Sequence, residues 1–118
     1  MENKQQNKIR ASRIPVSIEA VYEFRGFKDR CTIIDISETG MRLEVRQILL
    51  PGDVIKVTFP IIYDKIPLNI EAWCIVRNSS GNEIGVEYDE LSNENKRKLI
   101  SYVEQLLLKH GKSKYEPY

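Results

Sequence analysis

Six residues of the chain, Asp35-Ile36-Ser37-Glu38-Thr39-Gly40, lie between two runs that have the pattern of β-strands. The run before them is Cys31-Thr32-Ile33-Ile34, and the run after them is Met41-Arg42-Leu43-Glu44-Val45, in which apolar and polar residues alternate. Alternation with a period of two is typical of a strand with one buried face. Two strands joined by a short polar segment that ends in Gly predict a β-hairpin, in which Gly40 supplies a positive φ.

On spacing alone, this hexapeptide has a purely structural interpretation. Asp35 and Ser37 bond to nearby backbone groups, and Gly40 closes the turn. A functional interpretation of the same residues depends on the sequence on both sides of the hairpin.

The flanking sequence predicts further short strands and one helix. Pro60 is predicted to end its strand, and residues 61–67 are predicted to form a loop with strand ends. Ser92 is a predicted helix N-cap and Gly111 a predicted C-terminal stop. The apolar helix face and the remaining predicted strands comprise Leu99, Val103, Leu106 and Leu107, and residues 16–24, 55–59, 68–77 and 84–88. Together these elements predict a mainly β protein, an antiparallel β-barrel capped by a C-terminal α-helix.

The chain is predicted to hold one domain, because 118 residues suffice for one core. Residues 1–12 are polar and basic without a hydrophobic period, which predicts a flexible arm. Residues 13–110 are assigned to the barrel and its helix, and residues 111–118 to a frayed tail.

Composition excludes several classes of protein. Charged residues make up 30% and hydrophobic residues 42% of the chain, as in a globular domain. The net charge of +1 gives no basic field for bulk nucleic-acid binding. No apolar run is long enough to span a bilayer and no signal peptide is visible, so we expect a cytoplasmic protein. Cys31 and Cys74 are then expected as buried free thiols rather than a disulfide.

The residue patterns of common enzymes and metal sites are absent from the sequence. The one histidine, His110, falls at a predicted helix end, where its charge would favour the helix dipole. No cysteines and histidines have zinc spacing, and no glycine-rich loop precedes a helix. The sequence therefore predicts no enzyme, no catalytic residue, no metal and no cofactor.

In order and spacing, several segments together resemble the PilZ family. A basic segment that ends in Arg13-Ile14-Pro15-Val16 precedes Asp35-x-Ser37-x-x-Gly40, which matches the family's [D/N]xSxxG motif. Ala72–Arg77 and Ile84–Tyr88 are similar to its late strands, and the resemblance covers roughly residues 8 to 108. It implies a six-stranded antiparallel β-barrel that binds the bacterial second messenger cyclic di-GMP and acts as a stand-alone receptor. The signal would then pass to an unidentified protein partner.

The resemblance also implies which residues bind the ligand. Arginine donates two hydrogen bonds to the O6 and N7 edge of guanine and pairs with phosphate, whereas carboxylate and hydroxyl oxygens accept from the opposite guanine edge. Gly40 would let backbone approach the ligand. The implied cyclic di-GMP site comprises Lys8, Arg10, Arg13, Asp35, Ser37 and Gly40.

One position departs from the family pattern. PilZ domains carry RxxxR in the arm, and four residues before Arg13 this chain has Ile9. Two interpretations stay open: Arg10 serves in a shifted register, or the domain has lost nucleotide binding and acts as a protein-interaction adaptor.

A small barrel that binds single-stranded nucleic acid is a third hypothesis, but it needs exposed aromatic residues along a basic groove. Trp73 lies on an outward face by parity and either packs at a barrel end or offers a stacking surface.

Overall fold

The computed structural model describes residues 9–111 and 115–117, with side-chain environments for residues 12–111. In chain order the elements are β1 (Ile9–Ala11), β2 (Ile14–Phe24), β3 (Phe27–Ile36), β4 (Gly40–Glu44), β5 (Val54–Tyr63), β6 (Ile66–Ser80), β7 (Glu83–Glu90), α1 (Asn93–His110) and β8 (Tyr115–Pro117). Six strands form a closed barrel in the order β2-β3-β4-β7-β6-β5, and the two short terminal strands, β1 and β8, pair with each other. All paired strands are antiparallel. The predicted six-stranded antiparallel barrel with a C-terminal helix is confirmed.

The barrel interior is filled by the apolar residues that alternate along each strand. Ile33, Met41 and Leu43 from the central hairpin are completely buried, as are Val57 and Phe59 from β5. Burial of apolar surface stabilises such a core by roughly 25 cal/mol per Å². The period-two pattern thus predicts the inward faces correctly.

Helix α1 covers the barrel with the face predicted from its spacing. Leu99, Val103 and Leu107 are buried. The Ser92 hydroxyl accepts a hydrogen bond from the Asn95 N–H at 3.0 Å, and Gly111 adopts a left-handed φ of 68°. Both predicted caps are confirmed. Within the described residues, no helix combines the length and the apolar character that a membrane span requires.

The predicted break at Pro60 is wrong. β5 continues through Pro60 to Tyr63 and forms a hairpin with β6. The neighbouring strand β2 pairs with β5 only at residues 56–58, so the missing N–H of Pro60 costs no hydrogen bond on that side. Asp64 and Lys65 form the turn with φ values of 53° and 65°, the geometry of a tight two-residue hairpin turn. Because neither residue is a glycine, the sequence did not indicate a tight turn here.

The chain termini also differ from the prediction. Residues 9–11 of the predicted flexible arm pair with residues 115–117 of the predicted frayed tail, with Arg10 opposite Glu116. Ser12, at the end of the same arm, is 2% exposed. Strand pairing uses backbone groups, which every residue carries, so two paired strands need not show a hydrophobic period in their sequences. The rest of both predictions, at residues 1–8, 112–114 and 118, lies outside the described residues.

Cys31 and Cys74 are free and buried, as predicted. Burial raises the pKa of each thiol to about 12. Because the thiolate is the reactive form, we expect native protein at pH 8 to react very slowly with a disulfide reagent. Adding denaturant should raise the labelling rate at least about 100-fold, since exposed cysteine has a pKa near 8.5. Rapid labelling of a thiol in the native state would contradict this burial.

Candidate functional site

The hexapeptide 35–40 forms a closed turn around a buried hydroxyl. Ser37 is 0% exposed. Its Oγ accepts hydrogen bonds from the N–H groups of Thr39 and Gly40, both at 3.2 Å, and lies 3.2 Å from the Thr39 hydroxyl. The Ser37 N–H donates to the Gly40 carbonyl at 2.9 Å. Ser37 therefore stabilises the shape of the turn through hydrogen bonds to its backbone, and it is not exposed to solvent.

Tyr88 connects this turn to β7 through two hydrogen bonds. Its N–H donates to the Thr39 carbonyl at 3.0 Å, and its hydroxyl donates to the Ser37 carbonyl, also at 3.0 Å. Burial raises the pKa of Tyr88 well above 10, so the phenol stays protonated and keeps donating. The sequence pattern placed Tyr88 in a predicted strand but did not indicate its contact with the motif.

Gly40 is required by a close approach of strands rather than by a positive φ. Its φ is not among the positive ones, so the predicted reason for this glycine is wrong. Gly40 is buried opposite Glu87 of β7, and a Cβ there would collide with the Val86 carbonyl oxygen. The Cβ would also lie 3.2 Å from the Glu87 Cα. The glycine lets β4 and β7 meet beside the turn.

Arg13 and Asp35 form an ion pair at the edge of the turn. The Arg13 Nε lies 3.2 Å from the Asp35 Oδ1, with the two side chains 35% and 22% exposed. The pairing of β2 with β3 brings them together, because Pro15 lies opposite Asp35 in the register. The structure thus places the predicted arginine and the predicted carboxylate side by side.

A surface groove of about 380 Å³ runs from this ion pair across the barrel wall. Arg77 lies in its lining and forms a second ion pair, with Nε 2.7 Å from the Glu87 Oε1. Gly85 leaves room for a neighbour in the lining, because a Cβ there would lie 2.8 Å from the Asn78 side chain. The residues that line the groove are Arg13, Thr39, Gly40, Arg77, Asn78, Gly85, Val86 and Glu87.

The groove brings together only part of the predicted set. Arg13 and Gly40 line it, Asp35 contacts Arg13, and Ser37 lies beneath it. Arg10 belongs to β1, but its side chain is outside the described residues, as is the whole of Lys8. The predicted site did not include Arg77, Asn78 or Glu87, which line the groove. Among the described residues, no cluster of His, Cys, Asp or Glu side chains could hold a metal ion.

Comparison with known proteins places this architecture in a family. The model of the PilZ domain matches residues 7–105. The chain belongs to the PilZ domain family. The resemblance inferred from the two late strands and the DxSxxG motif is thereby confirmed.

Solved structures share this fold at low sequence identity. The Bacillus subtilis inhibitor of motility MotI/DgrA has a TM-score of 0.70 at 14% identity, over 92% of this chain and 53% of that one. The PilZ domain of CeSA from a cellulose-synthesizing bacterium has a TM-score of 0.63 at 13% identity, over 81% of this chain and 98% of that domain.

A third structure was solved with a ligand. Borreliella burgdorferi PlzA in complex with cyclic di-GMP has a TM-score of 0.61 at 20% identity, over 83% of this chain and 42% of that one. This PilZ chain spans about half the length of MotI/DgrA and less than half of PlzA. No curated protein matches the chain.

Proposed function

We propose that this PilZ domain binds cyclic di-GMP in the groove between Arg13 and Arg77 and relays the signal to a partner protein. One observation carries the proposal: two arginines line a single groove, and the motif turn with its carboxylate Asp35 lies at one end. PilZ domains are receptors or adaptors rather than enzymes, and we assign this one to the same class. A bacterial messenger implies a bacterial, cytoplasmic protein.

The groove offers the groups that a cyclic dinucleotide needs. Guanidinium groups form charge-assisted hydrogen bonds with phosphate and can donate to two guanine acceptors at once. Asp35 can accept from the N1–H and N2–H₂ donors of guanine. Lys8 and Arg10 precede Arg13 by a few residues, and we include them in the proposed ligand-binding set as further positive charges.

Ser37 and Gly40 support the ligand indirectly in this proposal. Ser37 is completely buried and its hydroxyl is used within the turn, so it positions the neighbouring backbone rather than contacting a base. Gly40 brings the turn against β7. Both motif residues therefore shape the wall that the ligand would meet.

In the free protein each arginine of the groove has a carboxylate partner. Arg13 pairs with Asp35, and Arg77 pairs with Glu87. Ion pairs this exposed stabilise a protein by only about 0–1 kcal/mol. Phosphate oxygens accept charge-assisted hydrogen bonds from arginine as carboxylates do, so little is lost when a ligand phosphate replaces either carboxylate. The ion pairs hold the arginines in place without blocking the site.

A second candidate function is that of an adaptor that binds proteins without nucleotide. Ile9, at the first arginine position of RxxxR, favours it. Calorimetric titration with cyclic di-GMP separates the two functions, with GMP as the control ligand. Saturable binding of the dinucleotide supports the receptor, and no heat from correctly folded protein supports the adaptor.

Arg77 gives a sharper test of the groove. Arg77→Ala should weaken cyclic di-GMP binding about fivefold, because it removes one charge-assisted contact of an exposed side chain. Glu87→Gln is the matched control, since it releases Arg77 from its 2.7 Å ion pair and leaves the guanidinium in place. This control should bind as tightly as the wild type or more tightly. Unchanged binding in Arg77→Ala would place the ligand outside this part of the groove.

A further inference from the structure

An exposed apolar face lies on the outer wall of the barrel, on β5 and β6. Val54 is opposite Ile75, and Lys56 is opposite Trp73. Trp73 is 45% exposed and Val54 44% exposed. The Lys56 ammonium lies 5.9 Å from the centre of the Trp73 ring. Contiguous apolar surface of this kind on a small domain marks an interaction site. We call Val54, Trp73 and Ile75 the Trp73 face.

A hollow of about 350 Å³ opens beside the Trp73 ring. Leu91 provides a second apolar wall, and the carboxylates Glu71 and Glu90 lie at its sides. Trp73 is opposite Glu90 in the strand register. The tryptophan is thus neither buried in the core nor part of the nucleotide groove. The hollow can take one apolar side chain, with a positive charge between the two glutamates.

The Trp73 face is continuous with the proposed nucleotide groove. Ile75 is opposite Glu87, which lines the groove and pairs with Arg77. A cavity of about 470 Å³ between β7 and α1 shares Glu87 with the groove and Glu90 with the hollow. A partner on the Trp73 face would therefore also border the ligand.

We propose that the Trp73 face is the docking surface for a partner protein that presents a basic side chain next to a large apolar one. Charge complementarity identifies the partner. Among the described residues that line the hollow and the adjoining cavity, the acidic ones outnumber the single basic residue, Lys96; they are Glu38, Glu71, Glu87, Asp89 and Glu90. The apolar side chain inserts between Trp73 and Leu91, and the cation meets Glu71 and Glu90.

The ligand strengthens this charge pattern. This step rests on the proposed function: two phosphates bound between Arg13 and Arg77 would neutralise the basic end of the surface and make its net charge more negative. A basic partner then binds the loaded domain more tightly than the free one. Its differential affinity for the two states converts nucleotide binding into an output.

A second copy of the chain fits this face less well. A twofold dimer would place the same patch against itself, so the carboxylate rims would face each other. Like charges held opposite one another oppose association. The acidic rim likewise opposes an anionic lipid surface.

The test uses a phage-displayed library of random dodecapeptides, selected on the full chain with and without saturating cyclic di-GMP. The expected result is enrichment of peptides that combine net positive charge with a large apolar residue. A synthetic copy of the most enriched peptide, followed by fluorescence polarisation, should bind the loaded protein at least threefold more tightly than the free protein. Trp73→Ala and Glu90→Lys should each weaken its binding at least fivefold.

Ile62→Ala is the matched control, because Ile62 is 48% exposed on the other end of β5 and should leave peptide binding unchanged. Melting curves establish that each variant folds, and Glu90→Lys changes only an exposed side chain. The proposal is overturned by three results: no enrichment, enrichment of acidic peptides, or equal binding to Trp73→Ala. A dimer in sedimentation that Trp73→Ala abolishes would instead assign the face to a second copy.

Nucleotide binding in the groove and partner binding at the Trp73 face are tested independently. Calorimetry reports nucleotide binding without any peptide. If the nucleotide does not bind, the gain on loading is lost, but selection on the free protein still tests the Trp73 face.

Discussion

Gly40→Ala is expected to lower the free energy of unfolding by about 3 kcal/mol or more, the largest stability effect of any substitution at the motif. The added Cβ would collide with the Val86 carbonyl oxygen and lie 3.2 Å from the Glu87 Cα. Backbone atoms cannot rotate away as a flexible side chain can, so β4 and β7 must separate. Their separation also disturbs the Tyr88 hydrogen bond to Thr39. Urea unfolding followed by circular dichroism measures the loss.

Gly81→Ala is the control for this prediction. Gly81 has a φ of 63°, and no atom lies within 4 Å of the position that a Cβ would take. Alanine there meets conformational strain alone, which costs about 1 kcal/mol. If the two substitutions destabilise the barrel equally, the contact between β4 and β7 is not what requires glycine at position 40.

Gly40 shows what the sequence could and could not predict about the motif. The alternation of Met41, Leu43 and Val45 predicted the hairpin, because strand burial repeats every second residue. The reason for the glycine is different, since the obstructing atom belongs to Val86 on a strand far along the chain. A local sequence pattern does not indicate a contact between strands that lie far apart in the sequence.

The hairpin of β5 and β6 shows the same limit in the fold. Pro60 predicts a strand end because proline lacks a donor, and only the extent of the β2 pairing shows that no donor is needed there. Asp64 and Lys65 adopt positive φ without a glycine, so the turn carried no signal in the sequence. Both errors concern residues whose conformation is determined by neighbouring strands.

The candidate site was predicted best where its residues are near in sequence. Asp35, Ser37 and Gly40 were found together because one turn holds them, although the structure separates their roles. Arg77 and Glu87 come from β6 and β7 and reach the groove only when the barrel closes. Barrel closure therefore supplies two of the three charged residues that line the groove.

The two ion pairs of the groove suggest how ligand-free and ligand-bound states would differ. Each arginine is held in the groove by a carboxylate that is itself partly exposed. Such preorganisation lowers the side-chain entropy lost when the ligand binds. The same carboxylates would be released by the ligand, and Glu87 borders the Trp73 face. Nucleotide binding and partner binding would thus share one residue.

Arg13→Ala is expected to weaken cyclic di-GMP binding about 10- to 100-fold, the largest binding effect that we predict. Arg13 supplies a cation at the motif end of the groove, and its loss removes one or two charge-assisted hydrogen bonds of roughly 1.5–3 kcal/mol each. Some of that loss is offset because the arginine no longer has to leave Asp35. The melting temperature should barely change, since the Arg13–Asp35 pair is partly exposed and such pairs contribute about 0–1 kcal/mol. Calorimetry and melting curves on the same samples measure both effects.

Arg46→Ala is the matched control for Arg13→Ala. Arg46 forms an ion pair of nearly equal length, with Nη2 3.1 Å from the Asp29 Oδ1, and it does not line the groove. Both substitutions remove one positive charge and one ion pair, so a general electrostatic effect would weaken binding equally in the two variants. A loss confined to Arg13→Ala places the ligand at the motif turn. Equal losses would mean that net charge alone attracts the dinucleotide, and unchanged affinity in Arg13→Ala would remove this arginine from the site.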